Sequence, residues 1–241
     1  VMSNARNIVV DKNVVTYNAD RRDNGSDYGI VLYGGNAITV SNNQIAYTGS
    51  EGIHSEAAIS GATAYTISGN WIHHLGDGTV VGPAVVGTPA GMILGDSGGG
   101  GGNGDYTGSF VENNLVENLV SNNPNRAGPK GIILENDSNN WVIRNNVVSN
   151  LPGECIKLDA TRRTVNNSEI YNNLLMGCGK GNVGAGNGAG IVFLSADSTK
   201  SVNNNKVYNN TIVNNFGGAI SSACSGPCTG NIFRNNLMYD S

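Results

Sequence analysis

The chain has 241 residues, of which 39% are apolar, 13% are charged and 6% are aromatic, and its formal charge at pH 7 is -4. The acidic balance and the lack of any Lys/Arg cluster larger than a pair argue against a nucleic-acid partner, and no apolar run approaches the roughly 20 residues that a membrane-spanning helix needs. The 35 glycines and 38 asparagines disfavour helix interiors and tolerate positive φ angles, so the composition predicts short strands joined by tight turns.

A six-residue motif, apolar-x-x-Asn-x-apolar, recurs along the chain. It is present as VDKNVV, VSNNQI, ISGNWI, VENNLV, IRNNVV, IYNNLL, VYNNTI and FRNNLM. Its asparagines are Asn13, Asn43, Asn70, Asn114, Asn146, Asn173, Asn210 and Asn236. They are 30, 27, 44, 32, 27, 37 and 26 residues apart, and such a period without helical periodicity is typical of a parallel β-helix.

Coils of a β-helix stack about 4.8 Å apart, so a residue that recurs once per coil forms a column along the axis. An asparagine in that column can donate to one neighbouring coil and accept from the other, which satisfies turn groups that would otherwise be buried without a partner. We therefore predict that the eight asparagines form a structural ladder and are not catalytic.

Strand-like pieces that begin with a small residue and an apolar residue lie between the motifs. They are GIVLY, GIHSE, GMILG, GIILE, CIKLD, GIVFL and AISSA. Together with the asparagine motif they resemble the right-handed parallel β-helix superfamily, which includes pectate lyases, alginate and chondroitin lyases and polygalacturonases. The resemblance implies one all-β domain over residues 1–241, a right-handed parallel β-helix of seven to eight coils. Because the chain opens inside one repeat and stops inside another, we expect a fragment or a chain truncated at one or both ends.

Four cysteines suggest two disulfides. Cys224 and Cys228 flank a Gly-Pro turn, and Cys155 and Cys178 lie 23 residues apart, about one repeat. Two disulfides would indicate an oxidising compartment, and hence a secreted, cell-surface or periplasmic protein. The alternative is a set of buried free thiols.

Alternation of side chains along the Gly-Ile strands predicts two outward columns when each isoleucine is placed in the core. The first is Val31, His54, Ile93, Ile133, Lys157, Val192 and Ser221. The second is Tyr33, Glu56, Gly95, Glu135, Asp159, Leu194 and Ala223, with Asp96 and Asp137 just past the strand ends. Like charges at this spacing repel, so the ionisable cluster indicates a functional site, the alternative being a solvated sheet face.

Loop lengths favour the same location. Long connections at 16–28, 74–90, 118–130 and 177–189 alternate with short ones, so we expect the short coils that carry His54 and Lys157 to line a groove. The Gly-rich segment from Gly95 to Ser109 is either a mobile wall of this groove or a tolerated insertion.

Three functions fit this surface, and the preferred one is a β-elimination lyase that acts on an acidic polysaccharide. In β-elimination from a uronic acid, Lys157 would be the base and Arg162 or Arg163 would assist. Glu135, Asp137 and Asp159 would hold Ca²⁺, because the ENDS segment at 135–138 resembles the paired acidic calcium ligands of alginate and chondroitin lyases. In glycoside hydrolysis, Glu135 and Asp159 would flank the scissile bond. In both, Tyr33, His54 and Glu56 would bind the polysaccharide.

The third function is a passive rod, either an adhesin, a tailspike segment or a glycan-binding solenoid. The sequence does not indicate an oligomeric state.

His73 and His74 are expected on opposite faces of a strand, where they cannot easily share a metal, and are interpreted as turn residues. Trp71 and Trp141 are expected at corresponding positions near the ladder, in packing roles, the alternative being stacking on a sugar.

Overall fold

Short β-strands are the regular elements of the chain as far as the structure describes it. The computed structural model describes residues 2–3, 6–16, 28–56, 61–62, 64–76, 89–95, 104–120, 128–180 and 188–240. Every regular element in these ranges is a strand of two to nine residues. None of these described ranges contains a helix that is long and apolar enough to cross a membrane.

The strands form three sheets. Sheet 1 contains Met2–Ser3, Ile30–Tyr33, Glu51–Glu56, Ala90–Gly95, Lys130–Glu135, Ile156–Ala160, Ile191–Ser195 and Ile220–Cys224. Sheet 2 contains Arg6–Asp11, Asn36–Ser41, Tyr65–Ser68, Gly104–Glu112, Asn139–Arg144, Glu169–Tyr171, Lys206–Tyr208 and Ile232–Arg234, with Gly61–Ala62 paired to its fourth strand. Sheet 3 contains Val14–Thr16, Gln44–Ala46, Trp71–His73, Leu115–Glu117, Val147–Ser149, Leu174–Met176, Thr211–Val213 and Leu237–Tyr239.

The chain visits the three sheets in turn and returns to sheet 1 one coil further on. Neighbouring strands in each sheet are therefore parallel and come from successive coils. Eight strands along each sheet confirm a parallel β-helix of eight coils. Its right-handed sense remains a prediction from the general handedness of parallel crossovers.

The asparagine ladder is present in full between sheets 2 and 3. In the middle of the rod, Asn146 Oδ1 accepts hydrogen bonds from the backbone N and the Nδ2 of Asn114, each at 3.0 Å. Asn146 Nδ2 in turn donates to Asn173 Oδ1 at 3.0 Å and to the Val111 carbonyl at 2.9 Å. The same bonds join every successive pair from Asn13 to Asn236.

The residue before each ladder asparagine turns the backbone. Asn113, Asn145 and Asn172 have φ angles of 58°, 56° and 55°, and Gly69 takes the same place with a φ of 65°. Asparagine and glycine are the residues that adopt this left-handed conformation most readily. The paired asparagines of the motif thus have two roles, since the first makes the corner and the second forms the ladder.

The core is a set of apolar columns inside the three sheets. In sheet 1 the predicted inward residue after each glycine is confirmed, because Ile53, Met92, Ile132, Ile156 and Ile191 are in register and fully buried. Burying each such side chain contributes about 1.5–3 kcal/mol. The core fixes which face of sheet 1 points outward.

Both expected disulfides are confirmed. Cys155 pairs with Cys178 at a Cα–Cα distance of 5.6 Å, and Cys224 pairs with Cys228 at 6.3 Å. Cys155 stands where other coils have the glycine before the inward residue, so its bridge is fully buried. Two disulfides suit an extracellular or surface location.

We predict that Asn146→Ala destabilises the protein by about 3 kcal/mol, because it leaves the buried backbone N–H of Asn114 without a partner and removes the side-chain bonds to Asn173 Oδ1 and the Val111 carbonyl. Asn236→Ala, in the partly exposed last coil, is the matched control and should cost about 1 kcal/mol, since water can replace the lost bonds. Urea unfolding of both variants checks this, and equal losses would contradict a ladder that depends on burial.

Candidate active site on the outer face of sheet 1

Strand pairing in sheet 1 aligns the residues that the alternation placed on its outer face. The first column is in register as Val31, His54, Ile93, Ile133, Lys157, Val192 and Ser221. The second is in register from Tyr33 to Glu56, and from Gly95 through Glu135, Asp159 and Leu194 to Ala223. The predicted register is therefore confirmed. The Glu56 side chain, Asp96 and residues 96–103 of the Gly-rich segment lie outside the described residues.

A third polar column lies at the starts of the same strands. Glu51 and Lys130 are both in register with Ala90, and Glu154 follows in the next coil, where its carbonyl accepts from the Gly131 N–H at 2.9 Å. Sequence reasoning missed these residues because it began each strand at the glycine. The sequence did contain a signal for them, because in each case a charged residue directly precedes the small residue at which the strand piece was taken to begin.

The charged side chains of this face are buried although they lie outside the apolar core. His54 is 2% exposed, Lys157 is 7% exposed and Lys130 is 9% exposed. These side chains are therefore shielded from water, and the attraction and repulsion between their charges are stronger than in bulk water.

His54 is held from two sides. Its Nδ1 contacts the Glu51 carboxylate, and its ring stacks on Tyr28 with 4.6 Å between the ring centroids. The carboxylate accepts the Nδ1 proton, which fixes the tautomer in which Nε2 carries no proton when the ring is neutral. Glu51 is therefore the residue that orients His54.

Asp159 is bound through both carboxylate oxygens. Lys157 Nζ lies 2.7 Å from Asp159 Oδ2, and the backbone N of Thr161 donates to Oδ1 at 3.2 Å. Lys157, which the sequence suggested as a base, is thus the cationic member of a buried ion pair.

Glu135 lies beside Asp159 in a different environment. Burial, and next the charges of Asp159 and Glu51, raise the pKa of Glu135, although Arg162 and His54 oppose the shift. On its other side Glu135 faces Gly95, whose φ of 143° and whose contact with the Glu135 backbone leave no space for a side chain. The glycine is therefore required by close packing against the backbone of the next coil.

Lys130 is the second buried lysine on the outer face of sheet 1. Burial and the neighbouring charge of Lys157 lower its pKa, while Glu154 acts in the opposite direction. Glu154 is fully buried, and neither of its carboxylate oxygens has a hydrogen-bond partner among the described residues. Lys130 is therefore a better candidate for a neutral amine base than Lys157.

The arginines and Asp137 lie at the end of the same strands. Arg163 Nη1 binds Asp137 Oδ2 at 2.7 Å, whereas Arg162 is exposed and its backbone N donates to Asn136 Oδ1. Two of the three predicted calcium ligands, Asp137 and Asp159, thus already have cationic partners. Among the described residues no three His, Cys, Asp or Glu side chains form a group that could hold a metal ion.

Two expectations about aromatic and histidine residues need correction. Trp71 and Trp141 do not occupy corresponding positions, because Trp71 follows the ladder in sheet 3 and Trp141 lies in sheet 2. Trp141 is fully buried, as expected for packing, but Trp71 is exposed. His73 and His74 do not point apart, since the Nδ1 atoms are 2.7 Å apart, because His74 leaves the strand with a φ of 51°.

Comparison with known proteins assigns no family to the chain, since no family model matches it and no curated protein matches its sequence. Among solved structures it is similar to the Streptococcus pneumoniae surface protein and adhesin PfbA, with 11% identity and a TM-score of 0.33 over 98% of this chain and 67% of that chain. A likeness at that level assigns neither activity nor partner.

We predict that Glu135→Gln gains stability relative to the wild type as the pH rises above 4.5, the ordinary pKa of Glu135. A folded-state pKa above the unfolded value means that the wild type loses stability between the two values, by at most about 1.4 kcal/mol per pH unit, and the glutamine variant does not. Urea unfolding of both proteins across this pH range measures the difference.

Asp197→Asn is the control, because the pKa of Asp197 is shifted in the opposite direction to that of Glu135. Hydrogen bonds from Thr199 lower the pKa of Asp197, so here the wild type should lose stability relative to the variant as the pH falls below 3.8. Parallel curves for the wild type and Glu135→Gln would mean that Glu135 ionises as an ordinary carboxyl group.

Proposed function

We propose that the outer face of sheet 1 is the active site of a secreted glycoside hydrolase that acts on a polysaccharide. Glu135 is the general acid and Asp159 is the nucleophile. The observation that carries the proposal is that two in-register carboxyl groups have opposite environments. Glu135 is held towards its protonated form by burial and negative charge, and Asp159 is paired with Lys157 at 2.7 Å. Two neighbouring carboxyl groups in such unlike environments are typical of an acid and a nucleophile.

The spacing supports a retaining mechanism. Neighbouring strands lie about 4.8 Å apart, and retaining glycosidases have their two carboxyl groups about 5–5.5 Å apart. Glu135 protonates the glycosidic oxygen while Asp159 attacks the anomeric carbon, which gives a covalent glycosyl-enzyme. Glu135 then takes a proton from the attacking water, and the sugar leaves with its original configuration.

The surrounding residues have supporting roles in this proposal. Lys157 orients the Asp159 carboxylate. His54, Tyr33 and Glu56 bind the neighbouring sugar units of the polysaccharide. The two disulfides support folding in an oxidising, extracytoplasmic compartment.

A β-elimination lyase is the second candidate, because one observation favours it. Lys130 is buried and its pKa is lowered, which makes it a better base for the C5 proton than Lys157. Lys157 and Arg162 would then neutralise the uronate carboxylate. Calcium bound by Glu135, Asp137 and Asp159 belongs to this second candidate and requires two ion pairs to open.

The proposal is tested by incubating the protein with a panel of neutral and acidic polysaccharides and measuring reducing ends and the absorbance of unsaturated products. We expect reducing ends without that absorbance, and kcat lower by at least about a hundredfold in Glu135→Gln and Asp159→Asn. Asp197→Asn, a carboxylate on an exposed turn that has no role in the proposed mechanism, is the control and should keep full activity.

The proposal fails in two distinguishable ways. Unsaturated products that disappear in Lys130→Met would favour the lyase. Neither signal across the panel would favour the passive rod, an adhesin-like or glycan-binding β-helix without catalysis.

A further inference from the structure

We propose that Trp71, on the outer face of sheet 3, is a binding platform for one neutral pyranose unit of a glycan, separate from the site on sheet 1. Its defining residues are Gln44, Trp71, His73, His74 and Glu117, which we call the Trp71 platform. No role in the proposed hydrolysis accounts for this cluster.

The indole is held on one face and at its N–H edge. Trp71 stacks on the imidazole of His73 in the same strand, with 4.0 Å between ring centroids and 29° between the planes. Its Nε1 donates to Glu117 Oε1 in the next coil at 3.0 Å. Trp71 is 41% exposed, and since one face is covered and the N–H edge is bound, that exposure belongs to the opposite face of the ring.

A chain of hydrogen bonds fixes the support beneath the indole. Gln44 Nε2 lies 3.0 Å from His73 Nε2, and His73 Nδ1 lies 2.7 Å from His74 Nδ1. If the Gln44 amide donates to Nε2, the His73 proton must be on Nδ1, where it is donated to His74. Tyr47 also stacks on His74, at 5.5 Å between ring centroids. The platform is therefore held in one orientation before any ligand binds, which lowers the entropic cost of binding.

Sugar chemistry fits this surface better than other ligands do. The C–H face of a pyranose is slightly positive and is attracted to the negative face of an indole, while the ring hydroxyls need donors and acceptors at its edge. Gln44, His74 and Glu117 supply both.

The charge at the edge selects the kind of sugar. Glu117 is the carboxylate bound to the indole N–H, so an acidic sugar at the platform would meet a like charge. We therefore expect neutral hexoses, pentoses or N-acetylhexosamines to bind, and uronic acids to bind more weakly.

Acrylamide quenching of tryptophan fluorescence tests the platform directly. The chain has two tryptophans, and Trp141 is fully buried, so quenching reports on Trp71. The probes are hexasaccharides of β-1,4-linked glucose, galactose, mannose, xylose and N-acetylglucosamine, and hexagalacturonate. We expect at least one neutral probe at millimolar concentration to protect Trp71, and hexagalacturonate to protect it less.

Calorimetry with the protecting probe separates this site from the one on sheet 1. Trp71→Ala should weaken binding by at least about tenfold. Met176→Ala removes an equally exposed apolar side chain, 39% exposed, from the same sheet and should leave binding unchanged. The inference is overturned if no neutral probe protects Trp71, or if Trp71→Ala binds as tightly as the wild type. Either result is independent of whether the chain hydrolyses a polysaccharide.

Discussion

The hydrogen bonds of the asparagine ladder are the interaction on which the rest of the structure depends. Each ladder oxygen accepts from both the backbone and the side-chain amide of the preceding coil, as Asn146 does from Asn114. These bonds are buried, so a slip of one residue would leave several polar groups without partners at a cost of about 1–3 kcal/mol each. Because the ladder repeats in every coil, it fixes the register of all three sheets and not only of its own corner.

A fixed register has a chemical consequence on sheet 1. Residues that are far apart in the sequence become neighbours on strands about 4.8 Å apart. The two acidic residues Glu135 and Asp159 are therefore held side by side. The fold tolerates this because Lys157 compensates one carboxylate and burial favours the neutral form of the other. Burial of Glu135 next to a second carboxylate costs stability, so the arrangement is more readily explained by chemistry than by folding.

The fold was predictable from the sequence because two strict periodicities define it, the asparagine once per coil and the alternation of side chains along each strand. The same alternation predicted the two outward columns of sheet 1. It failed where the backbone leaves the regular strand. At Gly131 and Ile132 two successive residues face the core, which hid Lys130, and the positive φ of His74 turned its ring towards His73. Ion pairs such as Lys157–Asp159 depend on side-chain rotamers, which periodicity does not specify.

Cross-linking measures the register at the proposed site most directly. All four native cysteines are in disulfides, so a new cysteine pair reports without background. In-register neighbours lie within the range of about 4.4–6.8 Å between Cα atoms that a disulfide needs, whereas a slip of one residue places the side chains on opposite faces. The account predicts that Glu135→Cys with Asp159→Cys forms a disulfide and that Glu135→Cys with Leu158→Cys does not. A cross-link in the second pair and none in the first would contradict it.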